Sequence, residues 1–221
     1  REIALATSAD ALVAATQDWH PDTTPHFAKD GGIWPVHCVA GTWGAEIHPD
    51  LDLPEQAPRV RKGANGEDGY SGFSMRDPVT GDETPTQLDG LLRERGIDQV
   101  VVVGVATDYC VQATALDAVR LGYRTTLLTD AIAAVDLEPS DGDRAIEAMR
   151  IEIFDKVNAL GIGAQGLGGL TTVLDVKIKS YPTHAVGKAV AMIPNCAATR
   201  HAHVVMDGSG PAYLEPPSLD L

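Results

Sequence analysis

Cys110 falls where the β-branched apolar run Gln99 to Val105 gives way to a segment of helical spacing that begins at Val111. In an open parallel sheet, ligands bind beyond the carboxyl ends of the strands. A helix N-terminus there offers unpaired N–H groups and the positive end of a dipole, which favour a thiolate and can hold a developing oxyanion. The chemistry that follows is nucleophilic; the alternative is a small buried hydrophobe, the common state of a free cysteine. Asp18, His20, His26 and His37 form a second group, four potential ligands within twenty residues, with Pro21, Pro25 and Pro35 restricting the backbone between them. Imidazole mixed with carboxylate suits Zn, Mn or Fe(II); the alternative is a polar surface loop. Lys62 offers a cation near either group, although an isolated lysine is ordinarily solvated.

Three further features carry less. The run Gly161-Ile162-Gly163-Ala164-Gln165-Gly166 matches G-x-G-x-x-G. A dinucleotide fingerprint needs a strand before it and a helix after it, and here the order is reversed, so that reading is rejected. His184 and Cys196, each just after a proline-containing dipeptide, read from spacing alone as structural.

The elements that must position these residues are legible in the first 150. Ala4 to Val13 reads as the end of a helix leading into a short strand, Val13 to Thr16, that delivers Asp18-Trp19-His20. Thr86 to Arg95 has helical spacing with Gly96 as its stop. Gln99 to Val105 reads as a strand buried on both faces, and Val111, Thr114, Ala115, Ala118 and Val119 form the stripe of the following helix. Arg124 to Thr129 is the next strand and Asp143 to Arg150 the next helix. That order predicts an α/β fold with a parallel sheet. Beyond, Ile153, Phe154, Val157 and Leu160 keep a helical period, and strands are expected at 172–179, 189–193 and 203–206, before a Pro-rich tail expected to be poorly ordered.

Composition bounds the function. A chain of 221 residues is long enough to bury a sizeable core. With 44% hydrophobic and 22% charged residues and no apolar run near the roughly 18 residues of a membrane span, no membrane partner is expected. The net charge of −14 opposes a phosphate backbone, so neither is nucleic acid. Three cysteines without framework spacing favour reduced thiols and a cytoplasmic setting. Residues 1–150 hold 12 Lys and Arg against 25 Asp and Glu, residues 151–221 only 5 against 6, and the tryptophans all lie early. The shift places a domain boundary near residue 150.

The run Gly104-Val105-Ala106-Thr107-Asp108-Tyr109-Cys110-Val111, with Thr114 and Asp117-Ala118, resembles the nucleophile motif of nicotinamidases in the isochorismatase-like cysteine hydrolase family. Thr16-Gln17-Asp18-Trp19-His20-Pro21, His26-Phe27 and Trp34-Pro35-Val36-His37-Cys38-Val39 resemble that family's metal site, and Lys62-Gly63 and Asp68-Gly69-Tyr70-Ser71-Gly72-Phe73 extend the match over residues 1–150. The resemblance implies a Rossmann-like parallel sheet with helices on both faces. It also implies hydrolysis of nicotinamide to nicotinate and ammonia through a thioester. Cys110 would attack the carbonyl, with Lys62 in its proton-transfer network. Backbone N–H groups of Ala106 and Cys110 would form the oxyanion hole, after a cis peptide preceding Ala106. Asp18, His20, His26 and His37 would hold a divalent metal (Zn, Mn or Fe), and Trp34 and Tyr70 would line the ring pocket. The family's first strand, central in the sheet and bearing its catalytic Asp, has no counterpart in this chain, so the hydrolase unit is expected to be truncated and its activity impaired.

From about Ile151 to Ala212 the sequence is similar instead to class I fumarases and tartrate dehydratase alpha subunits, in 158–169, Tyr181-Pro182-Thr183-His184 and 193–201. That resemblance implies a partial α+β hydro-lyase segment over residues 151–221, with His184 contacting a dicarboxylate and Cys196 matching a cluster ligand. One of three cluster cysteines is present, so no iron–sulfur cluster is expected. The chain then reads as a junction of two partial enzymes, through fusion, gene-model error or chimera. A hydro-lyase fragment and a catalytically silent metal-binding module are the alternative functions. A homo-oligomer is compatible with the sequence.

Overall fold

Val100 to Val103 are β-branched without interruption, and a strand of that kind is stable only with both faces covered. The computed structural model, which describes residues 2–159 and 189–195, places this run in β5 (Gln99–Val105) of a five-stranded parallel sheet. The strands lie in the order β2 (Arg59–Lys62), β1 (Val13–Asp18), β7 (Ala189–Asn195), β5 and β6 (Arg124–Ala133). On one face, Val100 and Val102 pack with Leu88 and Leu92 of α2 (Leu88–Glu94), Ala115, Ala118 and Val119 of α3 (Gln112–Arg120), and Ala145, Met149 and Ile153 of α4 (Asp141–Ala159). On the other, Val101, Val103 and Val13 meet the Ile3 and Ala6 side of α1 (Glu2–Ser8) with Leu53. The period-2 alternation of β5 thus divides one valine run between two cores. A short antiparallel pair, β3 (Ser74–Arg76) and β4 (Glu83–Pro85), stands apart from the sheet.

The expected parallel α/β sheet with helices on both faces is what the chain forms. β5 keeps its expected bounds, and β6 runs four residues further than expected. The helix expected over 143–150 continues to Ala159, so the boundary expected near residue 150 falls inside α4, where residues 151–153 remain part of the hydrophobic packing through Ile153. The strand expected at 189–193 forms, but within this sheet, between β1 and β5, rather than in a separate segment. It occupies the central position of the five strands. The glycine-rich run, the strands expected at 172–179 and 203–206, the Pro-rich tail, His184 and Cys196 lie outside the described residues. Among the described residues, no helix is long and apolar enough to cross a membrane.

Candidate active site and metal centre

The carboxyl edge of the sheet gathers the polar residues. β1 ends at Asp18 and β2 at Lys62, and these two are register partners. Lys62 is 1% exposed; its Nζ lies 3.1 Å from Asp18 Oδ1 and donates to the Tyr70 carbonyl at 3.0 Å. Burial alone would push the Lys62 ammonium down, but the Asp18 carboxylate and Cys110, through its thiolate form, outweigh it and hold its pKa above the ordinary lysine value. A charged lysine therefore sits between a carboxylate and a thiol, which answers the objection that it is a solvated surface group.

Cys110 is buried on a single π-type turn, Thr107–Val111, between β5 and α3. The peptide from Val105 to Ala106 is cis, as the resemblance implied. The Ala106 carbonyl accepts from the N–H of Tyr109 at 3.2 Å and of Val111 at 3.0 Å, closing the turn. The Asp108 carboxylate accepts from the N–H of Val135 and Asp136 at 3.0 and 2.9 Å, tying the turn to the segment after β6.

His20, His26 and His37 converge, with one potential ligand atom from each lying within 4.8 Å of the others. His26 Nδ1 donates to Asp68 at 2.6 Å and His37 Nδ1 to the Pro35 carbonyl at 2.7 Å, which leaves both Nε2 atoms as acceptors. Burial lowers His20 to about 4, with His26, His37 and Lys62 adding to the shift and Asp18 opposing it. Burial likewise lowers His37. Neutral imidazoles are metal ligands rather than ion-pair partners. Among the described residues the buried His20 Nδ1 has no hydrogen-bond partner, and a Cβ at Gly63, whose φ is +70°, would come within 2.5 Å of the His20 ring. The residues fit a divalent cation. Asp18 is not one of the three converging groups; its carboxylate stands against Lys62, near enough to act electrostatically on His20 and His37.

The Trp34 indole N–H donates to the Tyr70 hydroxyl at 2.6 Å. Burial chiefly pushes Tyr70 up to about 12, so it remains a neutral phenol. The Trp34 ring also lies 4.8 Å from that of Tyr109 and 6.2 Å from that of His26. An aromatic group thus bridges the histidines and the turn of Cys110. Asp68 and Tyr109 carry no role in the sequence reading beyond membership of the motifs. Nothing in their spacing marks them, because Asp68 reaches His26 across 42 residues of chain and Tyr109 reaches Trp34 from another element.

Residues 2–159 match the Isochorismatase domain model. The chain belongs to the isochorismatase family. A nicotinamidase of Acinetobacter baylyi is 41% identical over 153 residues, 62% of this chain and 69% of that protein. A nicotinamidase/pyrazinamidase of Mycobacterium tuberculosis is 44% identical over 141 residues, 62% of this chain and 72% of that protein. The pyrazinamidase of Pyrococcus horikoshii, solved in complex with zinc, superimposes with a TM-score of 0.60 at 41% identity, covering 68% of this chain and 77% of that one. A protein of L. infantum in complex with nicotinate does so with a TM-score of 0.55 at 38% identity, covering 69% and 76%. Within the isochorismatase family the chain groups with the nicotinamidase-type amidohydrolases.

Proposed function

We propose that this chain hydrolyses the carboxamide of nicotinamide or a close heteroaromatic analogue to the carboxylic acid and ammonia, with Cys110 as nucleophile. The observation that carries this reading is the buried Lys62 ammonium shared by Asp18 and Cys110, beside three convergent histidines and an aromatic pair. A cation beside a thiol stabilises its thiolate. The sulfur attacks the carboxamide carbon, the thiol proton passes through the Lys62–Asp18 pair to the departing nitrogen, and ammonia leaves a thioester on Cys110. Water then attacks the thioester, releasing the acid and restoring the thiol. Backbone N–H groups of Ala106 and Cys110 are the proposed oxyanion donors. Trp34 and Tyr70 are the proposed walls of the ring site.

His20, His26 and His37, with Asp18 beside them, are the proposed holders of a divalent metal, consistent with the zinc of the Pyrococcus horikoshii structure. Such an ion would supply Lewis acidity toward a ring nitrogen of the substrate. The Asp108 carboxylate, on the turn of Cys110, is occupied by two backbone N–H groups, whereas Asp18 faces Lys62. Asp18 is therefore the proposed carboxylate partner of Lys62 in this chain.

Ammonia release from nicotinamide by the purified chain with added divalent metal tests the reading. Turnover that disappears in Cys110→Ala, with metal retained, is the expected result. Turnover that survives Cys110→Ala removes Cys110 from the mechanism, and no turnover in a folded, metal-loaded chain leaves a silent metal-binding module.

A further inference from the structure

Resting on that reading of Cys110 and Lys62 as the reacting pair, we propose that β7, from the far end of the chain, is the positioning element of the site. In this view residues 189–195 set the separation between its two halves. The sheet order carries the argument. β1 is hydrogen-bonded to β2 and β7, and β5 to β6 and β7, so β7 is the strand shared by both sides. Asp18, Lys62, Gly63 and the three histidines belong to the β1–β2 side. Ala106 and Cys110 follow β5.

The facing edges of β1 and β5 are in the interior: Ala14, Ala15, Thr16, Val100 and Val102 are each 0% exposed. Backbone N–H and C=O groups at that depth must be paired. β7 pairs both edges at once, with Ala191 opposite Val13 and Val101, and Met192 opposite Ala14 and Val102. Its ladder to β5 ends at Met192, while that to β1 continues to Asn195 opposite Gln17. Pro194, which has no N–H to donate, therefore comes after the β5 ladder has finished. Adjacent strands lie about 4.8 Å apart, so one intervening strand holds β1 and β5 about 10 Å from each other. That spacing is what lets Lys62 reach Cys110 from the other side of the sheet. The histidine cluster needs no such bridge, since all its members lie between β1 and β2 in the chain.

The test uses the full chain and separates the two halves. In Ala191→Pro, which removes one ladder donor, alkylation of Cys110 by iodoacetamide, followed on its own peptide, is expected to slow about tenfold as the lysine is withdrawn. Ammonia release is expected to fall at least as much, with zinc stoichiometry unchanged. A proline in the exposed turn 54–57, Glu55→Pro, is expected to leave all three as they were. Cys110 alkylation at the original rate in Ala191→Pro overturns the proposal. Should Ala191→Pro also lose zinc through misfolding, hydrogen exchange on the unaltered chain decides. Amides of 189–193 protected to the same degree as those of Val100–Val103 support the strand, and fast exchange at 189–193 beside a protected β5 overturns it. An unaltered chain with that protection but without ammonia release loses the amidohydrolase reading while β7 keeps its place.

Discussion

On the β5 side, Cys110 is carried by a strand, a single turn and a helix whose packing residues are almost all aliphatic. On the β1–β2 side, the same sheet edge is made of buried polar groups: Asp18, Lys62, His20 and His26, held by glycines and by hydrogen bonds between distant loops. The first arrangement derives its geometry from apolar packing, which tolerates volume-conserving changes. The second derives it from satisfied polar contacts, where a lost partner leaves a buried group uncompensated. The two halves should therefore fail in different ways, and variants on one side should spare the other.

The largest separation is expected from Gly63→Ala. The added Cβ meets the His20 ring at 2.5 Å in a left-handed backbone conformation. Metal content measured on the purified protein should fall to background, while amides of Val100–Val103 stay protected from exchange; bound metal at the original stoichiometry breaks the assignment of His20.

Acid should act next, through the same side. The folded-state pKa of His20 is lowered from 6.5 to about 4, so its neutral form stabilises the metal-free fold above pH 6.5, and this contribution is lost as pH falls through 4. The shift corresponds to about 3 kcal/mol. Urea unfolding of the metal-free chain at pH 7.5 and at pH 4 should show a loss that is smaller by that amount in His20→Gln.

Asp68→Ala removes the acceptor that orients His26, and metal affinity from competition with a chelator should weaken by about 10–100-fold. An unchanged affinity would mean that the loops alone orient the ring. Tyr70→Phe has the smallest expected effect. It removes the hydroxyl that accepts from the Trp34 indole, worth about 1 kcal/mol. We expect a several-fold rise in KM for nicotinamide with little change in kcat; a larger fall in kcat would place Tyr70 in the chemistry rather than in the ring site.

The β5 side was the more legible in sequence because its signals are local. Val100 to Val105 and the stripe Val111, Thr114, Ala115, Ala118 and Val119 carry their periodicity on their face, and the structure reproduces them. The three histidines were readable as a group by residue type and nearby prolines. Their partners were not, since Asp68 and Gly63 meet His26 and His20 only after the chain returns through β2. Asp18 belongs to both groups: residue type and resemblance set it beside the histidines, and only the structure sets its Oδ1 3.1 Å from Lys62 Nζ as well.

By itself, the sequence determined the class of fold, the position of the turn bearing Cys110, the identity of the convergent histidines and the family. The first three follow from runs and spacings within a few tens of residues, and the family from the resemblance of the motifs. Only the tertiary structure decided that Lys62 is buried and charged between Asp18 and Cys110, and that Asp68 orients His26. It alone put residues 189–195 between β1 and β5. Those outcomes depend on which buried strand edge or charge finds a partner, and that is settled by pairing across the folded sheet rather than by any local pattern.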